Sequence, residues 1–264
     1  MERTYDAVKS FFNENRWFSH ETARVYRIAL NQFFSYCKKD YDKVKRKDIR
    51  EWLKELNEKE LKPRSRKNKL MAIKSFYNYL FEENLIEVNL PSTVEGPQID
   101  DDASKSLSRT QLKELMELVK NKPRERALVD VIYFTGVRIS ECLNIRLEDI
   151  KWDVRQIWIR KGKRNKERFV LFTSECEERL KNHLKNKKVD SPYLFSNRYK
   201  KPLTCQWAQK FFRKCSKELG YKVTPHILRH TFAVHLAEKG MEDEKLQLLL
   251  GHKNINDLKT YTNF

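Results

Sequence analysis

The chain has 264 residues, a formal net charge of +18 and a pI near 9.6, with 39% hydrophobic and 35% charged residues. That length and balance support two folded domains with real cores and exclude a disordered chain; no apolar run approaches the roughly 20 residues of a membrane span, and the first residues, MERTYDAVKSFFNENRW, lack the apolar stretch of a signal peptide. The positive excess calls for a polyanionic partner, nucleic acid before an acidic membrane surface.

From the start to about residue 88 the chain reads as four helices. Thr4 to Asn13 is the first. Glu21 to Cys37 is the second, with Ser19 as its N-cap and Val25, Ile28, Ala29, Gln32/Phe33 and Tyr36 near one face. Lys47 to Asn57 places Ile49, Trp52, Leu53 and Leu56 on one stripe. Arg64 to Glu82 places Leu70, Ile73, Phe76, Tyr77 and Leu80 on another, after Pro63, which suits a helix start. These aromatic stripes are expected to be core. Lys62, Arg64, Arg66, Lys67 and Lys69 crowd the start of the fourth helix with no acid among them. They form either a solvated face or a phosphate-contacting one, to which the helix N-terminus would add its own positive end.

Asn89 to Ser108 holds Pro91, Gly96, Pro97 and three consecutive aspartates without a helical stripe, and reads as a linker whose aspartates are solvated. Ser108 then caps a helix to about Lys120, and another runs from Pro123 to Thr135. Gly136 breaks the pattern and a short helix begins near Ile139, so Arg138 sits at a turn-to-helix junction where it can point into a cleft. Gln156 to Arg160 and Phe169 to Leu171 flank the basic turn KGKRNKER and predict a β-hairpin. Helices follow at Ser174 to Asn186, Thr204 to Leu219 and Pro225 to Lys239, and a last one ends at Leu250 before Gly251. The expected fold is mainly α with a small β-hairpin or sheet, the second domain being α+β.

The chemistry concentrates at the end of the chain, in TPHILRHTFAVHLAEKGMEDEKLQLLLGHKNINDLKTYTNF. His226, Arg229, His252 and Tyr261 lie there, and Arg138 in TGVRISE completes the set. Arginine forks match phosphate oxygens, histidine donates to them or moves a proton, and a tyrosine oxygen among such donors can be a nucleophile. The five cysteines are scattered and never spaced C-x-x-C, as expected of reduced thiols in a cytoplasmic protein; no Asp/Glu/His cluster has metal spacing, so no metal or other cofactor is expected. Of the other histidines, His20 and His183 are expected at the surface, His230 beside the site or in the core, and His235 facing the core.

In order, Arg138 within T-G-x-R-x-S-E, a lysine in the hairpin, His226-Ile227-Leu228-Arg229, Gly251-His252 and Tyr261 resemble the signature of the tyrosine recombinases, the lambda-integrase and Xer family. His252 lies 23 residues beyond Arg229 and Tyr261 lies 9 beyond His252, intervals similar to those of the Xer branch. The resemblance implies a two-domain C-shaped DNA clamp: a helical, SAM-like core-binding domain at 1–88, a linker at 89–106 that serves as the joint, and a catalytic domain at 107–264. It implies site-specific recombination through a 3′-phosphotyrosyl link, with no ATP. Arg138 and Arg229 would fork the non-bridging oxygens, His252 would donate to them, Tyr261 would attack, and His226 would act as base. Glu141 would orient Arg138. The family's turn, G-K-G-N-K-E-R, matches Gly162 to Arg168 with Arg164 in place of its second glycine and selects Lys163 as the acid for the leaving 5′-oxygen; a slide of two would select Lys161. Lys166 and Arg168 would contact the DNA backbone, and the resemblance favours phosphate contact for Lys62, Arg64, Arg66, Lys67 and Lys69.

The implied partner is double-stranded DNA, bound by a homo-tetramer on two sites that is a monomer or weak dimer when free, with no membrane involved. Many members dock a helix beyond the tyrosine on a neighbour; the sequence ends at Phe264, three residues past Tyr261, so that helix is absent or cut away. No arm-binding module is evident before the first helix, so the simpler Xer-like arrangement is expected over the lambda-like one. Two rivals stay open: relaxation of supercoils like a type IB topoisomerase, and a DNA-binding protein without catalysis.

Overall fold

In the computed structural model, which describes residues 2–98, 106–160 and 167–250, the chain divides into two units, Met1–Asp101 and Asp102–Phe264, each with its own apolar core. The first unit holds α1 (Glu2–Glu14), α2 (His20–Cys37), α3 (Arg46–Glu58) and α4 (Pro63–Glu82). Ser19 caps α2, its hydroxyl accepting from the Thr22 amide at 3.1 Å, which satisfies one of the first-turn N–H groups. Aromatic rings fill the centre: Phe11 meets Phe76 edge-on at 5.5 Å between centroids and Phe33 meets Trp52 at 5.1 Å. Burying such a ring stabilises by roughly 1.5–3 kcal/mol.

The inward face of α2 differs from the expected one. Ile28 and Tyr36 are 42% and 39% exposed, while Ala29, Leu30, Phe33 and Phe34 are buried. Two adjacent stripes compete on this helix, and the one with Leu30 and the Phe33-Phe34 pair carries more apolar bulk, so it wins the core.

Residues at the head of the expected linker pack on this first unit. Leu90–Thr93 is a short 3-10 helix whose start is capped by the Asn89 side chain, which accepts from the Ser92 amide at 3.2 Å. Pro91 and Val94 are buried, and Lys74 of α4 donates to the Ser92 carbonyl at 3.0 Å. The three aspartates lie outside the described residues.

The second unit begins with α5 (Arg109–Leu118), closed by a reciprocal cap: the Ser108 hydroxyl accepts from the Gln111 amide at 3.1 Å, and the Gln111 side chain accepts from the Ser108 amide at 3.0 Å. Helix α6 (Pro123–Thr135) is buried almost all round, with Ala127, Leu128, Val129, Val131 and Ile132 inaccessible. After α7 (Ile139–Leu143) come β1 (Ile150–Lys151), β2 (Gln156–Ile159) and β3 (Arg168–Leu171), an antiparallel sheet in that order. The register pairs Ile157 with Val170 and Ile159 with Arg168. The strand β1 has only two residues, too few for an alternation to announce it. Four helices complete the unit: α8 (Ser174–Lys185), α9 (Cys205–Leu219), α10 (Pro225–Glu238) and α11 (Asp243–Leu250). Helix α6 packs against both α8 and α10 and forms the axis of the core. The fold is therefore mainly α with one small antiparallel sheet, and among the described residues no helix is long and apolar enough to cross a membrane.

His183 is not at the surface. It is 4% exposed, its Nε2 lies 3.0 Å from the Leu194 carbonyl, and its ring stacks on Phe195 at 5.4 Å. Burial holds its pKa below the usual histidine value, so the ring is a neutral core group. His20 is exposed, whereas His230 and His235 are buried, and His235 Nδ1 lies 3.1 Å from the Tyr133 hydroxyl.

Candidate active site

A single turn between two helices organises the site. Helix α6 stops at Thr135, and Gly136 follows in the left-handed region at φ 62°, its amide donating to the Ile132 carbonyl at 3.0 Å. A Cβ on Gly136 would lie 2.5 Å from the Phe232 ring of α10, so both the backbone angle and the space require glycine here. This close approach lets α10 reach the turn. Arg229, on α10 and 4% exposed, donates through Nη1 to the Gly136 carbonyl and through Nη2 to the Leu250 carbonyl at 2.6 Å. His226 lies one turn earlier on α10, on the same face by spacing, and is exposed in the helix's first turn behind the Thr224 cap.

Arg138 occupies the N-cap position of α7. Its amide donates to Glu141 Oε2 at 2.9 Å and its Nη1 to Glu141 Oε1 at 2.8 Å. The carboxylate lies at the third position of a helix, where it can accept the cap's N–H and face the helix's positive end. Arg168, at the start of β3, turns onto the same carboxylate. Its Nη2 lies 2.8 Å from Oε2 and its Nη1 lies 3.2 Å from Oε1, while Nε donates to the Leu249 carbonyl at 3.3 Å. Burial alone would raise the Glu141 pKa, but the Arg168 guanidinium and the Arg138 amide and guanidinium overcome it and hold the carboxyl at about 2.

The structure thus brings Arg138, Glu141, Arg168 and Arg229 together around the Gly136 turn and the end of α11. Lys161, Lys163, Lys166, His252 and Tyr261 lie outside the described residues. Arg168, expected as a backbone contact, has a side chain 13% exposed with its fork on Glu141. The signal was in the alternation. Val170 is buried while Phe169 and Leu171 are exposed, so Arg168 shares the inward side of β3 with Val170.

In the first unit, Lys62, Arg64 and Lys67 at the start of α4 are exposed, with no acid in the first turn. Arg66 and Lys69 are half-buried. Lys69 donates to the Gln32 side chain, and burial pushes its pKa down. The exposed three present the unbalanced charge.

A model of the phage integrase family matches residues 105–264, and a model of the phage integrase N-terminal SAM-like domain matches residues 8–84. The chain is similar to the tyrosine recombinase XerC of Leptospira interrogans serogroup Icterohaemorrhagiae serovar copenhageni, at 30% identity over 98% of this chain and 89% of that protein. It is also similar to the tyrosine recombinase XerA of Pyrococcus furiosus, at 32% identity over 92% of this chain and 84% of that one. In fold it resembles the solved structure of the Tn1549 transposon integrase in complex with a circular intermediate DNA, with a TM-score of 0.83, 19% identity, and coverage of 98% and 94% of the two chains.

Proposed function

We infer that this chain, which belongs to the phage integrase family, is a site-specific recombinase that cleaves and rejoins DNA strands through a 3′-phosphotyrosyl intermediate. The observation that carries the mechanism is the convergence of two arginines on one turn. Arg138 follows Gly136 by two residues, and Arg229 is hydrogen-bonded to the Gly136 carbonyl. Two guanidinium groups so fixed can neutralise the oxygens of a phosphodiester as negative charge builds in the transition state. His252 adds a third donor. Tyr261 Oη attacks phosphorus; its proton, held with a pKa of about 10 in free tyrosine, passes to His226. The 5′-oxygen leaves with a proton from Lys163, or from Lys161 if the hairpin is shifted by two. The bond energy stays in the phosphotyrosine, and the 5′-hydroxyl of a second duplex reverses the step to complete exchange. That exchange needs two duplex sites and four protomers. The first unit binds the duplex, with Lys62, Arg64, Arg66, Lys67 and Lys69 at or near the phosphates and Lys166 on the catalytic side.

A pool of nicked suicide duplexes tests this reading. Wild-type protein should give a denaturant-resistant adduct carrying a 3′-phosphate on Tyr261, and Tyr261→Phe should bind the same DNA without forming it. An adduct that persists in Tyr261→Phe overturns the assignment of the nucleophile. Salt-sensitive binding with no adduct on the source replicon's own site overturns the enzyme reading.

A further inference from the structure

Arg168 has the geometry of a fastener. It opens β3, paired across the sheet with Ile159, so it is the last described pair of the β2–β3 ladder before the segment 161–166. Its two terminal nitrogens reach the two oxygens of Glu141 at 3.2 and 2.8 Å. Those oxygens also take the Arg138 side chain and amide at 2.8 and 2.9 Å. Its Nε reaches the Leu249 carbonyl in the last turn of α11, next to the Leu250 carbonyl that holds Arg229. His252 follows Leu250 by two residues. We propose that Arg168 is a positioning residue for strand cleavage: it locks Glu141, and through it Arg138, to the β2–β3 hairpin on one side and to the last turn of α11 on the other.

The proposal rests on the recombinase reading and deepens it. The physical case is one of competition. Glu141 has two guanidinium partners, one from α7 and one from β3, and its side chain is 2% exposed. With both present, the carboxylate shares its charge between them and does not draw Arg138 wholly onto itself. With Arg168 gone, the buried carboxylate has Arg138 alone. It then either draws that arginine fully onto itself or takes up a proton, and both move the phosphate fork. Lysine is a poor substitute, because one ammonium cannot present a planar fork to a carboxylate and a third N–H to a carbonyl at a different angle.

The test uses the full chain on the nicked duplex pool, with single-turnover adduct formation followed across pH and duplex binding and melting measured alongside. Arg168→Gln should slow adduct formation by about 100-fold, the cost of a small misplacement of a catalytic group, and move the acid limb of its pH profile upward, while duplex affinity stays near wild type. Arg168→Lys, which keeps the charge, should return the acid limb toward wild type and leave the rate reduced. If Arg168→Gln does not fold, Arg168→Lys decides: a slowed rate with intact binding supports the proposal, and a wild-type rate overturns it. A variant that only melts lower, with an unmoved acid limb, has a structural arginine and overturns the positioning role. Loss of duplex affinity with an unchanged cleavage rate on bound DNA restores the phosphate-contact role and also overturns it. An active wild-type protein with an unaffected Arg168→Gln defeats this proposal alone; no adduct from wild-type protein defeats the recombinase reading and this proposal with it.

Discussion

Two buried carboxylates in the second unit titrate in opposite directions, and the difference lies in their partners. Glu141 has two guanidiniums and sits at about 2; Asp130, with no exposure, sits at about 6 because burial outweighs the single Arg126 bond at 2.8 Å. The Glu141 contribution to stability is therefore present above its unfolded value of 4.5 and lost as pH falls toward 2. The Asp130 contribution is present below 3.8 and lost as pH rises through 6. Urea unfolding between pH 4 and pH 7 should show stability declining by up to about 3 kcal/mol from this group. In Asp130→Asn that decline should flatten; an unchanged slope would rule Asp130 out. At this scale the sequence was partly legible. The three-residue spacing of Arg138 and Glu141 announced their contact; the inward side of Arg168 was carried by the alternation in β3, but the residue was expected on the DNA backbone. The partners of Arg229 were not legible, because they are main-chain carbonyls 93 and 21 residues away in sequence, and no side-chain pattern encodes them.

At the scale of elements, helices were easier to read than their inward faces. Caps and prolines marked the starts of α2, α4, α5, α6 and α10, since Ser, Thr and Pro solve a local backbone problem that leaves a local trace. Which stripe of α2 turns inward depends on what α4 offers it, and that is a tertiary matter. The segment after α4 shows the same limit: proline and glycine there suggested a linker, yet Pro91 is buried and Val94 belongs to the first core. A fragment ending at residue 98 should therefore be more stable than one ending at residue 88, by about 2 kcal/mol of apolar burial. Urea melts of the two fragments check this, and equal midpoints would show that the 3-10 segment contributes nothing.

At the scale of the whole molecule, a charge of +18 makes ionic strength the main control on binding. Affinity for a nonspecific duplex should fall by about 10³-fold or more between 50 and 200 mM salt if six or more phosphates are neutralised. Replacing Lys62, Arg64 and Lys67 together by glutamine should lower the slope of log affinity against log salt by about one for each phosphate left without its cation. Fluorescence anisotropy over a salt series measures it, and an unchanged slope would return those residues to a merely solvated face. The separate cores carry a practical corollary for protein engineering. Each unit completes its own apolar packing, and the first does so only at Val94. A graft that exchanges the first unit for another should therefore be spliced between residues 98 and 106; a splice at residue 89 would hand the recipient a unit with a hole in its wall.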